Sequence, residues 1–341
     1  MHLSHLYSAI MRSQWAIALR DVESSHQILE QIITGSFDKS AEGTLADRKP
    51  IEGQAYSKEM SRTSSFAGDL PADTVAIIPV HGTMRKYGTY CAYGTTEIAD
   101  MIYEAASNPN ISGIILDMDS GGGCVDAIAP LTAAIEFARK SGKATIAYCD
   151  MCASANYYTA IFCDEIIASN TISSEFGSIG VMMSFPDYAK YYEKEGVKIH
   201  TIYSDLSNYK NAPFEAAKEG KYDLIKREEL NPLAQRFQDS VVARRGEKLD
   251  KSVEGIISGR MFYAEDALKY GLIDSIGDKQ YAINRARELA RDNAVSAYLQ
   301  TKNIKYNAKQ KFIVDGYCRH VVSGHLFFCQ GCRWPFHPIC W

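Results

Sequence analysis

The stretch ILDMDSGGGCVDA, residues 115–127, joins a hydrophobic strand through three consecutive glycines to the start of a helix. Glycine tolerates a positive φ angle and lets backbone N–H groups approach a ligand closely. No Gly-Lys-Ser or Gly-Lys-Thr follows, so the spacing excludes a phosphate-binding loop. The stretch therefore predicts either a plain tight turn or a backbone oxyanion hole at the end of a buried strand.

The same strand-then-helix order recurs on both sides of this stretch. Short β-branched runs predict strands at 74–80, 112–119, 144–150 and 165–169, and amphipathic runs predict helices at 95–109, 125–142, 154–163, 215–247 and 264–271. Such alternation indicates an α/β domain whose strands are largely buried.

The two ends of the chain differ from this central region. Residues 1–35 carry apolar side chains on one face and predict a helical segment, and residues 36–72 are rich in Ser, Gly and charge, which predicts a surface linker. Residues 301–341 hold a Cys/His-rich tail. We expect three parts: an N-terminal segment and linker at 1–72, the main domain at 73–300, and the tail.

Composition narrows the function classes. The chain has 341 residues, 46% of them apolar, and a formal net charge of −4. No basic block or stripe stands out, so a nucleic-acid partner is not expected. No apolar run reaches the roughly 20 residues of a membrane helix, and no secretory signal opens the sequence. We therefore expect a cytoplasmic protein without a transmembrane segment.

Ser154 is the first candidate for chemistry, because it lies where a predicted strand ends and a predicted helix begins. The N–H groups of a first helical turn have no partner within the helix, and the helix dipole favours negative charge there. A nucleophilic oxygen and an oxyanion formed beside it would both be stabilised. The simpler interpretation of the same residue is a helix N-cap.

Four motifs in order resemble the signal peptide peptidase A (protease IV) family of serine peptidases. A strand leading into Ser-Pro-Gly-Gly is matched at 120–123, and Ala-Ser-Gly-Gly-Tyr-Tyr is matched at 153–158. FGSIGVM at 176–182 and GRMFYAEDALKYGLID at 259–274 match the two later motifs. The resemblance implies a ClpP/crotonase-like α/β fold with repeated β-β-α units.

The resemblance also implies roles for these residues. Ser154 would be the nucleophile, and the N–H groups of Ala155 and of Gly122 or Gly123 would form the oxyanion hole. Two departures stand out: Gly121 replaces the family's proline, and Ala-Asn at 155–156 replaces its Gly-Gly.

A serine nucleophile needs a base, and histidine is the usual one. No histidine lies between residues 82 and 199, so a Ser-His-Asp triad would have to recruit His81 or His200. The resembled family instead uses a lysine, and SDLSNYKNAPFEAA at 204–217 matches its loop, which places the base at Lys210. Ser178 would hydrogen-bond the lysine amine. A lysine base must be kept neutral by burial, and its predicted apolar neighbours are Tyr209, Pro213 and Phe214.

The cysteines need two explanations. Cys149 and Cys152, like Cys124, predict small packed side chains and not a redox or metal pair, because no second ligand pair lies near them. The tail offers a tetrahedral zinc set at Cys329, Cys332, His337 and Cys340. It resembles the middle of a PHD-type finger; the alternative is an appended tail that binds no metal. No cofactor is expected for catalysis.

These features lead to a primary hypothesis and its rivals. The first is a serine endopeptidase with a Ser-Lys dyad, of the phage or prophage head-maturation type, acting on polypeptides such as scaffold, portal or capsid proteins. A homo-oligomer is expected by resemblance alone. The rivals are a signal-peptide or general cytoplasmic peptidase, a crotonase-type acyl-CoA enzyme, and a catalytically silent assembly protein.

Overall fold

In a computed structural model of the chain, the structure describes residues 15–17, 30–31, 52–57, 62–63, 66–88 and 92–318. The chain divides into two units, Met1–Ala290 and Arg291–Trp341. The predicted domain boundaries differ from this division and stay predictions.

Eleven strands are present in the described residues. They are β1 (Trp15–Ile17), β2 (Gln54–Tyr56), β3 (Arg62–Thr63), β4 (Thr74–His81), β5 (Ile111–Ser120), β6 (Gly122–Cys124), β7 (Ala144–Ala153), β8 (Glu165–Ala168), β9 (Glu175–Gly177), β10 (Met261–Tyr263) and β11 (Ser275–Ile276).

The longer helices connect these strands. They are α1 (Thr95–Ser107), α2 (Ile128–Lys140), α3 (Ala155–Ala160), α4 (Ala189–Lys194), α5 (Ala212–Lys218), α6 (Asn231–Arg245), α7 (Ala264–Lys269) and α8 (Lys279–Cys318). A π-helical turn, Lys226–Leu230, leads into α6.

Parallel strands β4, β5 and β7 form the centre of a nine-stranded sheet with the order β10-β9-β7-β5-β4-β2-β3. Nearly all their side chains are buried, because the sheet is covered on both faces. One face packs against α1 and α2, and the other packs against the first turns of α8 through Ala282, Ile283 and Ala286. The predicted α/β class is confirmed.

Strand β7 has two successive partners on its outer edge. Residues Ile146–Cys149 pair with β8, and Met151–Ala153 pair with β9, so that the sheet splits where β7 approaches Ser154. The parallel neighbour β5 ends at Ser120, which pairs with Cys152. The carboxyl ends of β5 and β7 therefore meet at one edge of the sheet, with the glycine run and Ser154 side by side.

Two predictions for the N-terminal region are wrong where the structure describes it. Trp15–Ile17 is a strand and not part of a helix, whereas residues 30–31 are helical and the rest of 1–35 lies outside the described residues. Gln54–Tyr56, predicted to be linker, forms a strand antiparallel to β4. In both segments the backbone finds hydrogen-bonding partners far along the chain, which a local pattern does not reveal.

The predicted long helix at 215–247 is also broken. Helix α5 ends at Lys218, and helical structure resumes only at Asp223 and continues through the π-helical turn into α6. Gly220, with a φ of 77°, lies in this break. A glycine in that conformation commonly ends a helix.

Candidate active site

Ser154 stands in an unusual backbone conformation at the junction of β7 and α3. Its φ and ψ are 56° and −119°, and its side chain is buried. Such angles are sparsely populated for a residue other than glycine and are concentrated at functional sites. Its N–H donates to the Gly177 carbonyl at 2.8 Å, and its carbonyl accepts from Tyr158 N–H at 2.8 Å.

The conformation of Ser154 points its hydroxyl away from the usual capping position. The Ser154 Oγ lies 3.5 Å from the Gly180 carbonyl oxygen, and no cap hydrogen bond from the side chain to α3 is formed. The simpler interpretation, a serine present to cap the helix, therefore finds no support in the geometry. The N–H of Ala155 opens the helix and has no intrahelical acceptor.

The glycine run forms a turn that Ser120 organises. Ser120 Oγ donates to the Gly82 carbonyl at 2.5 Å, and it accepts from the Gly122 N–H at 3.1 Å. The Gly122 N–H is therefore engaged inside the turn, which leaves Gly123 as the better of the two predicted glycine donors. Sequence reasoning treated Ser120 only as part of a motif and missed this role.

Gly123 lies against the backbone of Met84. A Cβ on Gly123 would lie 2.0 Å from the Met84 carbonyl oxygen, so only glycine permits this approach. Met84 N–H donates to the Gly122 carbonyl at 2.9 Å, and Cys124 N–H donates to the Met84 carbonyl at 3.0 Å. One edge of β6 is thereby fixed to Met84, and its other edge pairs with β1.

A cavity of about 240 Å³ opens beside this strand pair. Its walls come from α2, α3, α6 and the segment after Gly180, and they are mostly apolar. The lining includes Ala16, Ile128, Phe162, Val181 and Phe237. A cavity of this size and character suits a large apolar side chain.

Asn156, which stands where the resembled family has a glycine, is fully buried in the first turn after Ser154. Its Nδ2 donates to the Met151 carbonyl at 3.1 Å and lies 3.4 Å from the Ser120 carbonyl. The side chain therefore ties the end of β7 to the end of β5. Its Oδ1 finds no hydrogen-bond partner among the described residues.

The predicted supporting residue Ser178 also lies close to Ser154, in the turn that follows β9. Gly177, with a φ of 130°, and Ser178, with a φ of 52°, form a turn whose first carbonyl accepts the Ser154 N–H. The Ser178 N–H donates to the Arg260 carbonyl at 3.2 Å. The structure thus brings Ser154, Ser178, Ala155 and the glycine run together.

The structure does not bring the predicted base into this group. Lys210 lies in an exposed turn before α5, and no described hydrogen bond joins its amine to Ser154. Tyr209 is 59% exposed, and its hydroxyl donates to Glu228 instead of covering the lysine. Phe214 packs on Phe185 with ring centroids 4.9 Å apart. The apolar surroundings expected for a neutral lysine are thus not formed within the described single chain.

The two histidines considered for a triad are no better placed. His81 ends β4, is exposed, and pairs with Asp119 of β5, two strands away from β7. His200 is exposed in the segment before Lys210.

The cysteines around the site are structural. Cys124, Cys149, Cys152 and Cys163 are buried and unbridged, as predicted for the first three. Burial raises the pKa of the Cys149 thiol well above its ordinary value, and Cys152 adds to that rise. A thiol held in its neutral form is a poor nucleophile and metal ligand. The four predicted zinc ligands of the tail lie outside the described residues.

Comparison with known proteins points to one family. Residues 137–293, which include Ser154 and Lys210, match the model of peptidase family S49. Just under half of the chain is therefore similar to peptidase family S49. The matched segment holds β7, the strand-to-helix junction at Ser154 and the closing 259–274 motif, and the glycine run lies just before it.

Two curated relatives show what kinds of protein the chain is similar to. The chain is 26% identical to the chloroplastic serine protease SPPA of Arabidopsis thaliana, covering 80% of this chain and 40% of that protein. It is 28% identical to capsid assembly protease C of Escherichia phage lambda, covering 67% of this chain and 52% of the protease. The chain thus spans about half the length, or less, of these relatives.

A solved membrane-bound stomatin-specific protease is 17% identical, covering 64% of this chain and 86% of that chain with a TM-score of 0.41. In the part of the chain that the structure describes, no helix combines the length and apolar character needed to cross a bilayer.

Proposed function

We propose that this chain is a serine endopeptidase with Ser154 as its nucleophile. The observation that carries the proposal is the strained, buried Ser154 at the strand-to-helix junction. Beside it, the glycine turn continues into β6, which pairs with an extended backbone segment. The Ala155 and Gly123 N–H groups are the proposed oxyanion donors. Such sites lower the activation barrier of acyl transfer, because the N–H donors are already in place when negative charge develops on the substrate oxygen.

The chemistry follows from these positions. Ser154 Oγ attacks the carbonyl carbon of a peptide bond while its proton passes to the neutral amine of Lys210. The C–N bond then breaks, and the lysine returns the proton to the departing amine. Water hydrolyses the acyl ester, with Lys210 again taking and returning a proton. The apolar cavity beside Ala16 would hold a side chain of the acyl part of the substrate.

For Lys210 to act as base, its loop must become buried. The surrounding segment exposes several apolar side chains: Ile202 is 90% exposed and Leu206 is 96% exposed. A cavity of about 710 Å³, lined by Phe185, Tyr188 and Phe214 among others, opens in the same segment. We propose that contact with further copies of the chain covers this surface and removes water from the lysine.

The substrate class is polypeptide. Relatives include a capsid assembly protease of phage lambda and a head-tail preconnector protein of phage P21. These two relatives support head-assembly proteins as substrates of this chain, and a signal-peptide or general peptidase is the alternative. Mass-spectrometric mapping of cleavage in co-expressed portal and scaffold proteins tests this choice.

A separate proposal is that the Cys/His-rich tail binds zinc. Cys329, Cys332, His337 and Cys340 have the residue types and spacing for one structural zinc ion. That ion would take no part in peptide hydrolysis.

The dyad is tested with Ser154→Ala and Lys210→Ala variants. Both should lose fluorogenic-peptide hydrolysis, and the serine variant should also lose labelling by a fluorophosphonate. Lys221→Ala, which removes a lysine that is likewise exposed and is paired with Glu219, should keep full activity. Hydrolysis retained by either dyad variant contradicts the mechanism. A wild-type protein that is folded, unlabelled and inactive would favour the silent assembly protein.

A further inference from the structure

Strand β1 lies between two backbone edges at the candidate site. On one side it runs antiparallel to β6, with Ala16 opposite Gly123 and Ile17 opposite Gly122. On the other side Trp15 exchanges two hydrogen bonds with Met182, each 2.8 Å long between nitrogen and oxygen. A segment that is extended and hydrogen-bonded on both edges has the form of a peptide bound by strand addition.

This strand and the candidate nucleophile both lie next to the same glycine, Gly122. The position that a Cβ would take on Gly122 lies 2.2 Å from the Ala16 carbonyl oxygen and 3.0 Å from Ser154 Cβ. The Ala16 carbonyl and Ser154 are therefore neighbours across the same glycine. The peptide bond that lies at the candidate nucleophile is the one between Ala16 and Ile17.

We infer that Trp15–Ile17 is a tethered, substrate-like strand that occupies the peptide groove of this chain and competes with external polypeptides for it. The inference rests on the proposed peptidase function. An incoming substrate replaces β1 and takes over its hydrogen bonds to β6 and Met182. The backbone N–H and C=O groups of β6 and Met182 then keep hydrogen-bond partners, and no free energy is lost by leaving them buried and unpaired.

Two features make the tethered strand replaceable. The Trp15 side chain is fully buried, but its Nε1 has no hydrogen-bond partner among the described residues. Ala16 fills little of the 240 Å³ cavity whose wall it helps to form. A peptide with a larger apolar residue at the Ala16 position would make the same backbone bonds and fill that cavity as well.

Trp15 itself reports on the groove. The chain has three tryptophans, and the other two are Trp334 and Trp341. In a full-length Trp334→Phe/Trp341→Phe protein, Trp15 is the sole indole. The aldehyde of Ser-Gln-Leu-Leu, which contains no tryptophan and places leucine at the Ala16 position, is the peptide probe. A small fluorophosphonate is the control, since it reaches Ser154 without filling the groove.

We expect the peptide aldehyde to shift Trp15 emission to the red and to increase its quenching by acrylamide. The fluorophosphonate should label Ser154 without that change. If the aldehyde modifies Ser154 and the emission of Trp15 stays unchanged, the inference is overturned while the proposed function stands. If neither reagent modifies Ser154, the proposed function fails, and this inference fails with it.

A kinetic test uses the full chain with Trp15→Ala. Freeing the groove should lower KM for an external fluorogenic peptide by about tenfold with kcat unchanged, as expected when a competing bound state is removed. Phe66→Ala is the matched control, because Phe66 is also a buried aromatic residue but packs near Gly53, away from the groove. An unchanged KM in Trp15→Ala, or an equal fall in Phe66→Ala, contradicts the inference.

Discussion

Replacing Gly122 with alanine tests the geometry of the site most directly. Gly122 has a φ of 105°, and a Cβ there would lie 2.2 Å from the Ala16 carbonyl oxygen and 3.0 Å from Ser154 Cβ. A residue other than glycine in such a conformation costs about 1–3 kcal/mol. The new methyl group would also push away whatever strand occupies the groove, whether it is β1 or a substrate.

We therefore expect two separable effects from Gly122→Ala. The free energy of unfolding should fall by about 1–3 kcal/mol from the backbone alone. Peptide hydrolysis should fall by about 100-fold, because the methyl group pushes the substrate carbonyl away from the proposed donors at Gly123 and Ala155, and losing one such donor typically has an effect of this size. Urea denaturation measures the first effect, and initial rates on a fluorogenic peptide measure the second.

Gly142→Ala is the matched control. Gly142 follows α2 with a φ of 80°, and a Cβ there would meet no atom within 4 Å. The control should show a comparable loss of stability and full hydrolysis. Full hydrolysis by Gly122→Ala, or an equal loss of hydrolysis in both variants, would refute the proposed placement of the groove.

Three further predictions concern stability and metal content. Tyr157→Phe removes a buried hydroxyl that donates to the Leu272 carbonyl at 2.8 Å, and the free energy of unfolding in urea should fall by about 1–3 kcal/mol. Burial alone would raise the pKa of Asp274, but hydrogen bonds and charge from Arg245 outweigh it and hold that pKa below its usual value. The resulting stability is present above the unfolded pKa of about 3.9 and is lost as pH falls through the folded pKa, which acid unfolding curves will show. Cys332→Ser should lower zinc in the purified protein from about one ion per chain.

Each of these has its own control or opposing outcome. Tyr263→Phe changes an exposed tyrosine and should leave stability within about 0.5 kcal/mol. Wild-type and Asp274→Asn proteins with the same pH dependence of unfolding between pH 5 and 2 would contradict the ion-pair argument. Zinc that stays at its wild-type level in Cys332→Ser would show that this cysteine is not a ligand.

Much of the fold could be predicted from local pattern. A continuous β-branched run such as TVAIIPV at 74–80 is typical of a strand that is buried on both faces. The structure forms β4 there, at Thr74–His81. Ser154 could be found as a candidate because it lies at a predicted strand-to-helix junction, but the same pattern fits a helix N-cap, and only the resemblance to a peptidase family favoured the nucleophile. The glycine turn could be found because three glycines in a row are costly unless the backbone needs them.

The parts that failed depend on partners far along the chain. Strand β1 pairs with residues more than 100 positions away, and its apolar side chains fit a helix equally well in sequence. The organising hydroxyl of Ser120 acts on Gly82, 38 residues earlier. No periodicity signals such bonds. The surroundings of Lys210 are a different case, because the apolar cover predicted for a neutral lysine is not formed in the described residues.

The hydrogen bond from Ser178 to the Arg260 carbonyl has a consequence for the order of synthesis. Ser154 is held by Gly177, and the turn at 177–178 is held by the strand that begins at Met261. A growing chain that has not yet exposed this strand outside the ribosome lacks the backbone support of Ser154. If Ser154 is the nucleophile, as proposed, nascent chains should stay unreactive towards fluorophosphonate until most of the sequence has been translated, and reactivity should appear only when folding is almost complete.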